Sequence, residues 1–477
     1  VACGIGTVRE FDLRRTCLLD TAIGLAALAA IYGAGPARAE TMSSALARAY
    51  DNNPDINQQR ATVRARDEGV PSAKAGWLPK VNGSYSAGHQ VTVIENAPTQ
   101  FSSGAQKLVA NPRGPGATVT QTVWDGNRTS NNVRAAESTV LVARESMRYT
   151  ELTTLQQGAT AYMDVLRDIA VLDLRRQNIK VLEVQLQQTR DRFQVGEVTR
   201  TDVAQAESSL ASGKADYAVA QSNLDTSMAN YRRFIGVAPK QLQPAQPIEK
   251  LLPHTLEQAT AIGLAEHPQI VGALHQVDVN ELQVKVAEAA LLPSGSVQGG
   301  VQQQTDVSGY PHYSQALVSI VGSINIPIYQ GGAEYAAVRQ AKELVGQARL
   351  AVDSQRIAVR NSIAIAWGQL AAARASIISF QAAVRASEVA LNGVREEAKV
   401  GQRTTLDVLN AQQTLLNARV QLVTAQHDRV VSSYNVFAAI GLLSAEGLGL
   451  GVSAYDPNWH YDATKNRFFG LSTMDGR

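Results

Sequence analysis

Phe193-Gln-Val-Gly196-Glu-Val-Thr199-Arg-Thr-Asp202-Val203 and Ala398-Lys-Val-Gly401-Gln-Arg-Thr404-Thr-Leu-Asp407-Val408 are two versions of one element, displaced by 205 positions. A Val-Gly turn is followed each time by a Thr-x-x-Asp start. A second correspondence lies upstream: Thr41, Asn53-Pro54 and Trp77-Leu78-Pro79 are answered by Thr255, His267-Pro268 and Leu291-Leu292-Pro293, displaced by 214 positions. The chain is a tandem duplication. The drop from 214 to 205 assigns nine extra residues to the first copy, expected as a loop in the Gly/Pro/Asn-rich stretch 95–116. Solenoid repeats run to roughly 20–50 residues, and copies this much longer predict one structure with internal pseudo-symmetry.

The segments before the two turns read as very long helices. Residues 127–193 contain no proline and one glycine, Gly158, with Leu152, Leu155, Ala159, Tyr162, Leu166 and Ile169 spaced three and four apart. In the second copy Ala366, Leu370, Ala373, Ile377, Phe380, Val384, Leu391 and Val394 keep this spacing, interrupted by Ser387. A helix over 127–193 has 67 residues and spans roughly 100 Å at 1.5 Å per residue, beyond any compact domain. Val203, Leu210, Tyr217, Leu224 and Tyr231 then recur every seven residues in a returning helix. Each copy therefore holds a long helical hairpin.

Strand patterns occupy the same place in each copy. Val81, Gly83, Tyr85, Ala87, Val91 and Val93 alternate with Asn82, Ser84, Ser86, Gly88, Gln90 and Thr92, a period of two. A partner follows over Ala117–Trp124. The second copy offers Ser296–Gln304 and then Ala316, Val318, Ile320, Gly322, Ile324, Ile326 and Ile328 on one face. Alternation alone fits a half-buried sheet as well as a membrane barrel. Lengths near ten residues and a Ser/Thr/Gln/Asn opposite face favour the barrel, and since the smallest membrane barrels have about eight strands, four per chain require an oligomer. Three chains supply twelve.

Composition sets the compartment. Arg9, Arg14 and Arg15, an apolar run from Ala22 to Ala34 and Ala37-Arg38-Ala39 before Glu40 have the layout of a secretory signal over residues 1–39. Cys3 and Cys17 both fall in it, so a mature chain offers no thiol for disulfide, metal or nucleophile chemistry. Lipidation is not expected at Cys17, which follows Arg15-Thr16 rather than small apolar residues. Of 44 basic and 42 acidic residues, the segment carries four and three, leaving 40 against 39 and no electrostatic case for nucleic acid. No transmembrane helix is expected after residue 39, so membrane entry falls to the strands. The organisation expected is signal 1–39, repeats 40–238 and 255–443, a linker over 239–254 and a tail over 444–477, neither of the last two with a helical pattern.

In order and spacing these features resemble the TolC family of outer-membrane channel-tunnels. The likeness rests on the duplication, the Leu-Pro entries to the strand pairs, Tyr329-Gln330-Gly331-Gly332, and the two turn motifs with Asp202-Val203 and Asp407-Val408-Leu409. It covers nearly the whole mature chain. The fold class it implies is mixed, mainly α: duplicated long α-helical hairpins forming a trimeric α-barrel across the periplasm, plus four β-strands per chain in a shared 12-stranded outer-membrane β-barrel. Linker and tail would form a belt. The partners implied are two further copies in a homotrimer, a periplasmic adaptor, an inner-membrane efflux pump or ABC transporter, and outer-membrane lipid; no cofactor is implied. The duct would conduct substrates passively in efflux or type I secretion.

Site residues also follow from the resemblance. Thr201 and Asp202 would be tied to Arg403 in a latch that holds the periplasmic end shut, a guanidinium being suited to bind carboxylate and hydroxyl together. Asp407 would form a negative ring at the constriction. Ala398 replaces a tyrosine of the family latch and Asn410 a second constriction aspartate, which implies a looser latch and weaker cation preference. Val195, Gly196, Thr199, Val400, Gly401 and Thr404 would dock the adaptor. Read alone, Asp202 serves equally as a helix cap, and the glycines as helix terminators.

Enzyme chemistry finds little support. Seven histidines show no spacing that puts two metal ligands on one helix face, and Gly447-Leu-Gly449-Leu-Gly451 lacks the strand and helix of a nucleotide site, reading instead as a flexible stretch. A structural periplasmic coiled coil with a small β domain remains the rival, and a metal-efflux duct a third possibility.

Overall fold

The computed structural model describes residues 40–94, 106–307 and 312–474; the expected signal lies outside them. Chain order runs α1 (Met42–Asn52), α2 (Pro54–Asp67), α3 (Gly69–Lys74), β1 (Lys80–Ala87), β2 (Gln90–Ile94), β3 (Gln106–Ala110), β4 (Arg113–Trp124), α4 (Arg128–Gln194) and α5 (Arg200–Ile235). The second copy gives α6 (Leu256–Glu266), α7 (Pro268–Ala289), β5 (Ser294–Thr305), β6 (Ser314–Asn325), α8 (Ala333–Lys399) and α9 (Thr405–Ala439), with α10 (Pro457–Thr464) in the tail. Both long helices have 67 residues. The paired Asn53-Pro54 and His267-Pro268 are helix breaks: each first residue caps the next helix with its side chain, and each proline takes the first helical position.

A four-stranded antiparallel sheet runs β1-β4-β5-β6. Its register puts Val81 beside Val119, Val119 beside Gly299 and Gly299 beside Ile320 on one face. The other face aligns Asn82, Thr118, Gly300 and Ser319, and Ser296 Oγ lies 2.9 Å from Ser323 Oγ there. Among the described residues no second layer covers the apolar side, where Val318 is 71 % and Ile320 81 % exposed. Strands β1 and β6 leave the sheet with two open edges.

The helices continue the strand order as four columns. Near the sheet the order is α2, α4, α7, α8; farther away it is α5, α4, α9, α8. The short helices α2 and α7 thus stack end to end with α5 and α9, as where Asn53 Nδ2 donates to Phe234 O at 3.0 Å. Where the stacks meet, the main core gathers Leu46, Leu155, Tyr162, Tyr231, Ile270, Ile363 and Ile440. Gly158 lets α1 approach: a Cβ there would sit 3.1 Å from Leu46 Cδ2. The linker and tail wrap this level. Tyr162 Oη lies 2.8 Å from Glu40 O and 2.7 Å from Gln243 O, its single proton shared between the two carbonyls, and Glu249 joins Arg429 and Arg374.

Several expectations need correction. The four-stranded sheet stands as expected, but the strand read over 81–93 breaks at Gly88-His89, leaving β2 outside that sheet. The nine extra residues of the first copy are not all loop: β2 and β3 pair as a two-stranded extension, while 95–105 lie outside the described residues. Helical turns do occur in the linker, at Glu249–Leu251, and in the tail, where Asp456 caps α10. Leu448 and Leu450 of the Gly-Leu repeat pack on the core. Ile169, placed on the seam by spacing, is 43 % exposed. Finally, α8 is long and apolar enough to cross a membrane, with a window of mean hydropathy 1.4. Only 22 % of that window is buried, although α7 and α9 pack along α8.

Candidate gate at the hairpin tips

Both long helices leave the sheet and end about 100 Å away, so the two hairpin tips share the far end of the molecule. Each tip closes with the same hydrogen bonds. Gly196 N–H donates to Phe193 O (3.0 Å) and Glu197 N–H to Arg192 O (2.9 Å); Gly401 and Gln402 repeat this to Ala398 O and Glu397 O. The pattern is a Schellman motif, which needs a left-handed residue, and Gly196 has φ 80° and Gly401 φ 79°. Beside them Val195 is 73 % and Val400 72 % exposed. Two of the docking candidates, Val195 and Val400, are therefore solvent-facing apolar side chains beside tight turns.

The returning helices start in capping boxes. Thr199 N–H and Oγ1–H both donate to Asp202 Oδ2, at 2.9 and 2.7 Å, and Asp202 N–H donates back to Thr199 Oγ1 at 3.3 Å. Thr404 and Asp407 repeat the box at 3.0, 2.9 and 3.3 Å. The Thr199 hydroxyl, then its backbone N–H, holds the Asp202 carboxyl below the usual carboxylate range. The Thr404 backbone N–H, then its hydroxyl, does the same for Asp407. Both are anions at neutral pH.

Within one chain Arg403 is not joined to Asp202. Its Nε donates to Glu397 Oε2 at 2.8 Å, across the turn, and this contact raises the guanidinium pKa. The first tip carries the mirror arrangement, Arg192 Nε to Glu197 Oε2 at 2.9 Å. Thr201 and Asn410 are exposed, and Asp407 is half-buried. Sequence reasoning missed Glu397, although opposite charges bracketing both Val-Gly turns were there to be read. The Glu397–Arg403 pair has side chains about half exposed, 45 % and 51 %, and solvent screening leaves such a pair little stabilising worth. Arg403 is thus held loosely, with four more N–H donors on its fork.

Ionic contacts are richer above the tips. His427 Nε2 lies 3.0 Å from Asp164 and its Nδ1 2.9 Å from Asp428. Arg167 binds Asp164 and Asp168, and Ser227 donates to Asp168. This cluster joins α9 to α4 and α5. Among the described residues no group of three His, Cys, Asp or Glu is placed to hold a metal ion.

A sheet with one apolar face, carried on long helical hairpins, fits the class of outer-membrane channels. The chain belongs to the outer membrane efflux protein family, whose pattern matches residues 45–237 and 262–442. The outer membrane efflux protein BepC of Brucella suis biovar 1 (strain 1330) is 41 % identical over 441 residues, covering 92 % of this chain and 94 % of BepC. The outer membrane protein TolC of Escherichia coli (strain K12) is 24 % identical over 441 residues, 86 % of this chain and 84 % of TolC. The CmeC outer membrane channel of Campylobacter jejuni superposes with a TM-score of 0.74 at 19 % identity, covering 89 % of each chain. The resemblance read from the turn motifs is therefore correct, and the protein is an outer-membrane efflux channel.

Proposed function

We propose that three copies close into a passive exit duct, which receives its cargo from a periplasmic adaptor and an inner-membrane transporter and performs no chemistry itself. The observation that carries this reading is the uncovered four-stranded sheet. Its apolar face suits lipid and its hydroxyl and amide face suits a wet lumen, while the open edges β1 and β6 would pair copy to copy until no edge remains. Residues 1–39 act as the export signal.

The tips form the gate. Arg403 exchanges its weak Glu397 partner for Thr201 and Asp202 of a neighbouring hairpin, and three such ties around an axis hold the end shut. Asp407 lines the constriction as an anionic ring, with Asn410 lowering its charge relative to a two-aspartate ring. Val195, Gly196, Thr199, Val400, Gly401 and Thr404 receive the adaptor, whose docking releases the ties.

Single-channel conductance in a planar bilayer tests both parts. Wild-type protein is expected to show a small conductance and the Arg403→Ala/Asp202→Ala variant a clear rise. An unchanged conductance would make the two residues helix-end groups only. Absence of any pore from folded protein would overturn the duct.

A further inference from the structure

The duplication relates the columns as well as the sequence. α2 and α5 of the first column correspond to α7 and α9 of the third, and α4 of the second corresponds to α8 of the fourth. In a closed ring made head to tail, the fourth column of one copy meets the first column of the next. That contact is the pseudo-equivalent of a seam already present inside the chain, between the second and third columns.

The internal seam is fastened at three heights. Gly272 of α7 faces α4 so closely that an added Cβ would lie 3.3 Å from Glu145 Cβ. Gln156 Nε2 of α4 donates to Asn435 Oδ1 of α9 at 2.9 Å. His427 of α9 meets Asp164 of α4 at 3.0 Å. The repeat displacements of 205 and, for α2 and α7, 214 carry these positions to Leu350 with Gln58, Asn361 with Asn230, and Gln369 with Ser222. All six internal residues are buried or half-buried, and all six counterparts are exposed. Leu350, 71 % exposed, is an apolar side chain in the place where the internal seam has its closest backbone approach.

We propose that the seam between copies repeats the internal one in register. Asn361 meets Asn230 of the partner subunit, as Gln156 meets Asn435, in an amide–amide contact. Leu350 covers the stem of the partner's Gln58, and Gln369 meets the partner's Ser222. The two seams differ in charge. Asp164, Arg167, Asp168, His427 and Asp428 have Gln369, Ala372, Ala373, Ser222 and Asn223 as counterparts, so the copy-to-copy seam is neutral where the internal one is ionic. Closer to the tips the register contact ends, because Asn178 and Gln412, 3.4 Å apart, correspond to Ala383 and Glu207. This inference rests on the ring proposed above.

Cysteine pairs test it in the full chain with Cys3→Ser and Cys17→Ser. Asn361→Cys/Asn230→Cys and Gln369→Cys/Ser222→Cys, oxidised in detergent, are expected to give covalent species of two and then three chains, because a disulfide requires Cα atoms within about 7 Å. Single variants and the rotated pair Asn361→Cys/Asp225→Cys are expected to stay single-chain. Sedimentation as a three-chain particle without cross-links from either pair would overturn the register and leave the ring standing. Sedimentation as a single chain would overturn the ring and this seam with it.

Discussion

At the level where linker and tail wrap the helices, α4 is buried on several sides; at its far end it is bare. Tyr162 is fully buried, with its ring 6.2 Å from that of Tyr231, and its hydroxyl bridges Glu40 at the head of the first repeat and Gln243 of the linker. The tip offers Val195, 73 % exposed, a Schellman turn, a capping box and one solvated ion pair. Every tip contact is local in sequence, whereas the belt contacts join residues more than eighty positions apart. The belt therefore carries the stability and the tip carries little of it. The gate proposed there would be rebuilt by a partner at small free-energy cost, with the duplicated caps preserving the local geometry of each tip.

Truncating Tyr162 would break this contrast most severely. Tyr162→Ala is expected to destabilise the protein by about 3–5 kcal/mol, as for other large buried aromatics, read as a fall in thermal unfolding temperature. A substitution at the belt that acts through charge sharpens the same point. The guanidinium of Arg429, and secondarily Arg374, lowers the Glu249 carboxyl from its ordinary 4.5 to about 2. Its stabilisation is complete above about pH 4.5 and disappears as pH falls through about 2. Wild type should lose melting temperature over that interval, and Glu249→Gln should lose less.

The tip should respond on a smaller scale. Thr404→Ala removes a cap hydroxyl and is expected to cost about 1 kcal/mol, visible as faster hydrogen exchange in the first turn of α9. The Asp407 carboxyl should move up toward its ordinary value, because a hydrogen bond to its anion is lost. The smallest stability effect belongs to Val195→Ser/Val400→Ser, within about 0.5 kcal/mol for exposed positions. Export measured in cells should nonetheless fall. A stability loss comparable to that of Tyr162→Ala would place structural load at the tip and undo the comparison.

Much of the architecture was legible before any coordinate. The 67-residue helices, the Val-Gly turns and the Thr-x-x-Asp starts depend on hydrogen bonds closed within a few residues, and periodicity and capping report those directly. The strands were legible in pattern but not in division, because the break at Gly88-His89 and the pairing of β2 with β3 are settled across the hairpin. Ile169 misled for a related reason. Spacing marks a stripe on a helix, yet which part of the stripe is covered depends on where its neighbours stop. Of the gate, Asp202 and Asp407 emerged as caps, and Arg403 found Glu397 instead of a residue from the other hairpin.

By itself the sequence determined the duplication, the helix lengths, the tip turns and the alternating faces of the strands, since each is written in short-range chemistry repeated at a constant displacement. Only the tertiary structure decided the order of the four columns, the Glu249 ion pairs, the His427 hydrogen bonds, the docking of the tail by α10 and the two open edges. Those depend on contacts between residues hundreds of positions apart, which burial and shape select and which no local pattern encodes.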